Sequence, residues 1–177
     1  MEIQTTGYVL RRYRFSESSL VVVWLTLGHG KIKTSVRGAL GPKSKVRAAV
    51  DLFQHSELTA KKGGASELWS LREARMIECL YPAGASLPVL ESASYFASLL
   101  DRVTQTGEAV DSLYELFGRA MRYLAENQPA RKAVFHFEKE LCRCLGVGGG
   151  SDPASILAGY SGGLPEARER LLLQLEP

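Results

Sequence analysis

The sequence predicts an α+β chain: a small barrel of five strands, followed by an all-helical domain. Three observations lead there. Short runs rich in β-branched and aromatic residues, separated by Gly-containing turns, fill the first 76 or so positions. Apolar residues then switch to helical spacing. The charge also changes sign: residues 1–80 hold 13 Lys/Arg against 7 Asp/Glu, a balance of +6, and residues 81–177 hold 9 against 12, a balance of −3.

The strands come in order. Ile3–Phe15 is extended and rich in Tyr, Val and Thr, and Leu20–Leu27 is an apolar run. Gly28-His29-Gly30 supplies a turn into Lys31–Val36. That segment alternates, with Lys31, Lys33 and Ser35 on one face and Ile32, Thr34 and Val36 on the other. Arg37–Lys45 is a loop. Asp51–Lys62 and Glu67–Met76 follow, joined by Lys62-Gly63-Gly64-Ala65. Five strands without a long helix among them suit a closed barrel, which removes exposed edges.

The helices are predicted at Val89–Val103, at Val110–Ala125, from Pro129 to a stop at Gly146, from Asp152-Pro153, and at Leu164–Leu175. Gly148-Gly149-Gly150-Ser151 is a joint. Tyr81-Pro82-Ala83-Gly84 divides a barrel domain, residues 1–80, from a helical domain, residues 81–177.

Composition excludes several classes. With 45% apolar and 23% charged residues the chain is globular rather than disordered. It has no apolar run of about 18 residues, so no membrane-spanning helix is expected. The first residues lack the basic-then-apolar layout of a signal peptide, which places the protein in the cytoplasm. Cys79, Cys142 and Cys144 are expected to be reduced. His136 with Cys142 and Cys144 is the one cluster with metal or nucleophile potential, and it lacks Cys-x-x-Cys spacing. Gly41–Ser44 lacks the full phosphate-loop arrangement. His29 and His55 have no sequence partners, and no carboxylate pair or Ser-His-Asp pattern demands an enzyme. The expectation is a protein without catalytic residues, cofactor or bound metal.

Residues 1–50 carry nine basic residues and two acids, Glu2 and Glu17, which points to a polyanion partner. Arg11, Arg12, Arg14, Lys31, Lys33, Arg37, Lys43, Lys45 and Arg47 are the candidates to neutralise phosphates, with Tyr13 or Phe15 to stack on bases. On a strand, Arg12 and Arg14 share one face while Arg11, Tyr13 and Phe15 share the other. The alternative is that the two aromatics are core and the arginines a solvated face. A protein–protein adaptor whose basic barrel binds acidic peptides is the rival function.

The residues resemble the RecO family of bacterial recombination mediators. The resemblance lies in Thr6-Gly7-Tyr8-Val9-Leu10-Arg11, Ser16-Glu17-Ser18-Ser19-Leu20, His29-Gly30-Lys31, Arg37-Gly38-Ala39, Pro42-Lys43-Ser44, Asp51-Leu52-Phe53 and Leu71-Arg72-Glu73. In the second half it rests on Phe135-His136-Phe137-Glu138-Lys139-Glu140-Leu141 and Leu145-Gly146. It implies an OB-fold ahead of the helical domain, binding of single- and double-stranded DNA, and annealing of complementary strands. It also implies a place at the nucleoid and a set of partners: single-stranded DNA-binding protein, RecR and, indirectly, RecA. Many relatives carry a cysteine-rich zinc module after the position of Gly146; here that segment has no cysteine. For the acidic tail of single-stranded DNA-binding protein, Arg131 and Lys132 are the candidate contacts, since they lie beside Pro129 and precede Val134 and Phe135.

Overall fold

A computed structural model describes residues 1–64, 66–80, 85–148 and 152–176. The expected turn residue Ala65, the boundary Tyr81–Gly84 and the Gly149–Ser151 part of the joint lie outside the described residues. The chain divides into two compact units: one of residues 1–81 with 104–114, the other of residues 82–103 with 115–177.

The first unit is a closed barrel of β1 (Glu2–Arg14), β2 (Leu20–Thr26), β3 (Gly30–Val36), β4 (His55–Lys62) and β5 (Leu68–Glu78) in the order β1-β2-β3-β5-β4. Adjacent pairs are antiparallel except β3 with β5, which run parallel over Lys33–Ser35 and Leu68–Ser70. Period-two alternation sends Leu20, Val22, Trp24, Ile32, Val36, Leu58, Ala60 and Trp69 into one core. Trp24 and Thr34 satisfy each other inside it, the indole donating to Thr34 Oγ1 at 2.8 Å.

Residues 37–54 close one end of this barrel. Ala39 and Val50 enter the core, with Leu40, Val46 and Leu52 packed beside them. Their backbone is held by short turns, such as Gly41 N to Gly38 O at 3.1 Å and Val50 N to Val46 O at 3.1 Å. The expected strand from Asp51 starts instead at His55. The reason is Phe53, which is buried with φ 65°, a left-handed conformation no strand continues through. Phe53 N donates to Val9 O at 2.9 Å and Val9 N to Gln54 O at 3.1 Å, beside a bulge between Val9 and Arg11.

Residues 104–114 belong to the barrel unit. Thr106 bridges Lys31, and Gly107 N donates to Lys31 O at 2.9 Å. Gly30 permits this approach. Its φ is +64°, and a Cβ there would sit 1.9 Å from Glu108 O. Tyr114 OH lies 2.7 Å from both Thr6 Oγ1 and His55 Nε2, and the Tyr8 and His55 rings stack at 4.4 Å.

The second unit is helical: α1 (Leu87–Val103), α2 (Asp111–Glu126, here from Glu115 onward), α3 (Arg131–Cys144), α4 (Pro153–Ser161) and α5 (Ala167–Gln174). Apolar residues at helical spacing meet inside it. Phe96 of α1 stacks on Phe137 of α3 at 4.0 Å, with Leu99, Leu100, Phe117, Met121 and Leu141 buried around them. Asp152 caps α4, accepting from Ala154 N and Ser155 N, with Pro153 at the first position. Pro129 lies before α3 rather than in its first turn, because Ala130 is the extended N-cap. Glu138, 2% exposed as a side chain, accepts from Tyr95 OH at 2.6 Å and from Arg168 at 2.6 and 3.0 Å, which ties α1, α3 and α5 together.

Candidate nucleic-acid interface

The C-terminal half of β1 pairs with β2 alone, since its pairing with β4 ends at Tyr8 and His55. Register then sets the outer face row by row. Arg11 pairs with Val23, and Val23 with Lys33. Tyr13 pairs with Val21, and Val21 with Ser35. Residues directly paired point to the same side of the sheet, so one face presents Arg11, Tyr13, Lys33 and Ser35. The Arg11 guanidinium lies 5.3 Å from the Tyr13 ring centroid. Tyr13 is 45% exposed and Phe15 68%, so neither ring is core.

Beyond these rows lies the β1–β2 turn. Phe15 N donates to Ser19 O at 2.9 Å, and Ser19 N to Ser16 Oγ at 3.2 Å. Leu40 N donates to Ser18 O at 3.0 Å, which ties the barrel-closing segment to the turn. A cavity of about 460 Å³ opens there, lined by Phe15, Ser18, Ser35, Arg37, Gly38 and Leu68 among others. The face of strands 2–3, with the loops joining strands 1 to 2 and 4 to 5, is where small barrels of this topology hold oligonucleotides.

The nine candidate cations do not share one surface. Arg11, Lys33 and Arg37 are exposed on or beside the face just described. Arg12 points to the opposite side and lies 2.7 Å from Asp51 Oδ1. Arg14 braces the turn, donating to Ser16 O and Glu17 O at 3.4 Å each. Lys43 and Arg47 are exposed on the segment closing the barrel end. Lys45 lines a different cavity, over β4 and β5, among Glu57, Glu73, Arg72 and Arg75. Lys31 is corrected: it is 8% exposed, because residues 106–107 run along its backbone, and it is no surface phosphate ligand.

The helical unit carries a second candidate site. Phe96, Leu116, Ala120, Tyr123, Ala133 and Phe137 line an apolar cavity of about 550 Å³. Arg119, Lys132 and His136 add its polar and cationic lining. Lys132, one of the two cations the sequence suggested for an acidic tail, lines this cavity, and Arg131 does not. Arg131 Nε donates to Leu172 O at 2.7 Å and Leu175 O at 3.1 Å, and its backbone N to Glu176 O at 2.9 Å, so it holds α5. Arg119 was missed because it comes from α2; its signal was a cation placed between Leu116 and Tyr123, three and four residues away on one helix face.

His136, Cys142 and Cys144 do not come together as one cluster. Among the described residues no three His, Cys, Asp or Glu side chains gather closely enough to hold an ion. Cys79, Cys142 and Cys144 are not joined in disulfides, and burial pushes the Cys142 thiol above its ordinary pKa. No described helix is long and apolar enough to cross a membrane.

Comparison with known proteins accounts for this combination of barrel and helices. The family model for the N-terminal part of recombination protein O matches residues 1–80, and the one for its C-terminal part matches residues 86–149. The chain belongs to the RecO family. Similar curated proteins are each named DNA repair protein RecO. The one from Desulforudis audaxviator is 31% identical over 83% of this chain and 62% of its own length. The one from Xanthomonas euvesicatoria pv. vesicatoria is 32% identical over 79% of this chain and 57% of its own. The one from Alkaliphilus metalliredigens is 28% identical over 83% and 59%. The chain therefore spans about three fifths of the length of the RecO relatives it matches. The α4–α5 segment lies beyond the part that the RecO models cover.

Proposed function

We propose that this chain is a DNA-binding recombination mediator in DNA repair, which anneals complementary strands and helps load a recombinase onto single-stranded DNA. The observation that carries the reading is the outer face of β1, β2 and β3. It presents Arg11, Lys33 and Arg37 around two exposed aromatic rings, and Glu17 is the sole acid between positions 3 and 50. Cations there lower the repulsion between two phosphate backbones, and rings offer sequence-tolerant stacking. Annealing then needs proximity and charge screening, and no bond is made or broken. The action is non-enzymatic on this reading.

The cavity of the helical unit supports a second element of the same role. Its apolar floor and its cations Arg119 and Lys132 suit a short chain end that is both acidic and apolar. The tail of single-stranded DNA-binding protein has that chemistry. Membership of the RecO family supports RecR as the co-mediator and RecA as the recombinase served. The test is annealing of two labelled complementary oligonucleotides over a range of salt. Acceleration that falls with salt, and falls again on Arg11→Glu with Lys33→Glu, supports the reading. No acceleration at low salt refutes it.

A further inference from the structure

We propose that the free edge of β1 over Arg12–Arg14 takes up an extended acidic segment of a partner protein as one more antiparallel strand. The inference is independent of the DNA-binding reading. Five consecutive residues, Arg11 to Phe15, are exposed. On the side of β1 away from β2, pairing with β4 ends at Tyr8. Val9 is the last residue held there: its N donates to Gln54 O at 3.1 Å and its O accepts from Phe53 N at 2.9 Å. Residues 48–53 are turns and bends, so no strand continues alongside Arg12. Phe15 N donates to Ser19 O, on the β2 side of the hairpin. Alternation along the ladder therefore points the N–H and C=O of Arg11 and Tyr13 at β2, and those of Arg12 and Arg14 outward. The outward groups meet no backbone partner among the described residues.

An unpaired edge is a template for another chain, and its chemistry selects which. This edge offers donors and acceptors in turn. A DNA phosphate backbone carries acceptors alone and cannot answer the carbonyls, whereas a peptide strand answers both. A second copy of the same edge is disfavoured. Antiparallel pairing centred on Tyr13 sets Arg12 against Arg14, and centring on either arginine sets it against itself. A strand bearing acids meets the opposite condition. Directly paired residues share a face, so acids two positions apart stand opposite Arg12 and Arg14. The residue between them lies on the other face, beside the Tyr13 ring, which is 45% exposed. The segment that fits therefore reads acid, apolar, acid. Arg12 already holds the Asp51 carboxylate at 2.7 Å, so its guanidinium is within reach of an acid on that face. Arg14 donates to the carbonyls of Ser16 and Glu17, each at 3.4 Å, which leaves its charge for the partner.

The experiment uses the whole chain, isotope-labelled for amide exchange by nuclear magnetic resonance. The probe is a short peptide, blocked at both ends, in which two glutamates flank a central valine. At saturation the amides of Arg12 and Arg14 should exchange about 10-fold more slowly or better, while those of Arg11 and Tyr13, already bonded to β2, should not change. Methylating the peptide nitrogens of the two glutamates, whose N–H groups face the edge, should abolish binding. Methylating that of the valine, whose N–H faces away, should not. Replacing the glutamates with lysines should abolish binding, and Arg14→Glu should weaken the original peptide on the order of 10-fold. The peptide-side controls leave the fold of the protein untouched. Binding that leaves the Arg12 and Arg14 amides unprotected, or that survives methylation of the glutamates, overturns the edge-strand proposal. So does the absence of binding at millimolar peptide. An oligonucleotide that slows the same two amides overturns it as well, since the edge then belongs to the DNA site.

Discussion

Arg168→Met strips the buried carboxylate of Glu138 of its guanidinium. In the native helical unit that carboxylate is 2% exposed and receives Arg168 Nε at 2.6 Å, the second guanidinium nitrogen at 3.0 Å and the Tyr95 hydroxyl at 2.6 Å. Breaking a buried ion pair from one side costs about 3–5 kcal/mol, because the remaining charge is kept from water. Loss of the Arg168 guanidinium from the Phe135 ring, 5.9 Å from its centroid, adds about 0.5–1 kcal/mol.

The expected destabilisation is thus about 4–6 kcal/mol. Urea unfolding followed by helical ellipticity measures it, because Trp24 and Trp69, the protein's two tryptophans, both sit in the barrel core and report on the other unit. Adding Glu138→Gln to Arg168→Met should recover most of the loss, because no charge is then left buried. A loss below about 1 kcal/mol, or one that Glu138→Gln leaves unchanged, refutes the buried-charge reasoning.

Further outcomes are expected. If Arg11, Lys33 and Arg37 each hold one phosphate, the log–log salt slope for a single strand should be about −2, and Lys33→Ala should reduce its magnitude by about 0.7; an unchanged slope removes Lys33 from the interface. Arg119→Glu with Lys132→Glu should weaken binding of an acidic, apolar-ended peptide at least several-fold without changing oligonucleotide affinity, and calorimetry that finds peptide affinity intact rules the cavity out as its receptor. Tyr95 titrates above its ordinary value of 10.0, through burial first and the Glu138 carboxylate second. The folded state therefore holds that proton more tightly, and the stability it contributes is full below about pH 10 and lost above it. Tyr95→Phe should abolish this alkaline loss in the helical unit, and a variant that still loses stability in the same window would assign it elsewhere.

How much was legible follows from range. The alternation in Lys31–Val36, the Gly28–Gly30 turn and the Leu20–Leu27 run are local signals, and they placed β2 and β3 nearly residue for residue. The same alternation put Arg11 and Tyr13 on one face and Arg12 and Arg14 on the other, as the pairings have it. Helical spacing did likewise for Phe96 and Leu99, and Asp152-Pro153 marked the start of α4. In each case the cause lies within a few residues of the effect, where turn chemistry and side-chain period act.

What only the tertiary structure decided involves partners far apart in the chain. Strand composition does not say that β5 inserts between β3 and β4, a parallel pairing 35 residues apart that closes the barrel. Nor does it say that residues 106–107 lie on Lys31 and take it from the surface, or that Asp51 claims Arg12. Arg131 and Lys132 are neighbours in sequence, yet one holds the carbonyls of α5 and the other lines a cavity completed by Arg119. A charge is legible in the sequence, but the side chain that meets it is not, because burial and ion pairing depend on which distant segment the closed core brings alongside.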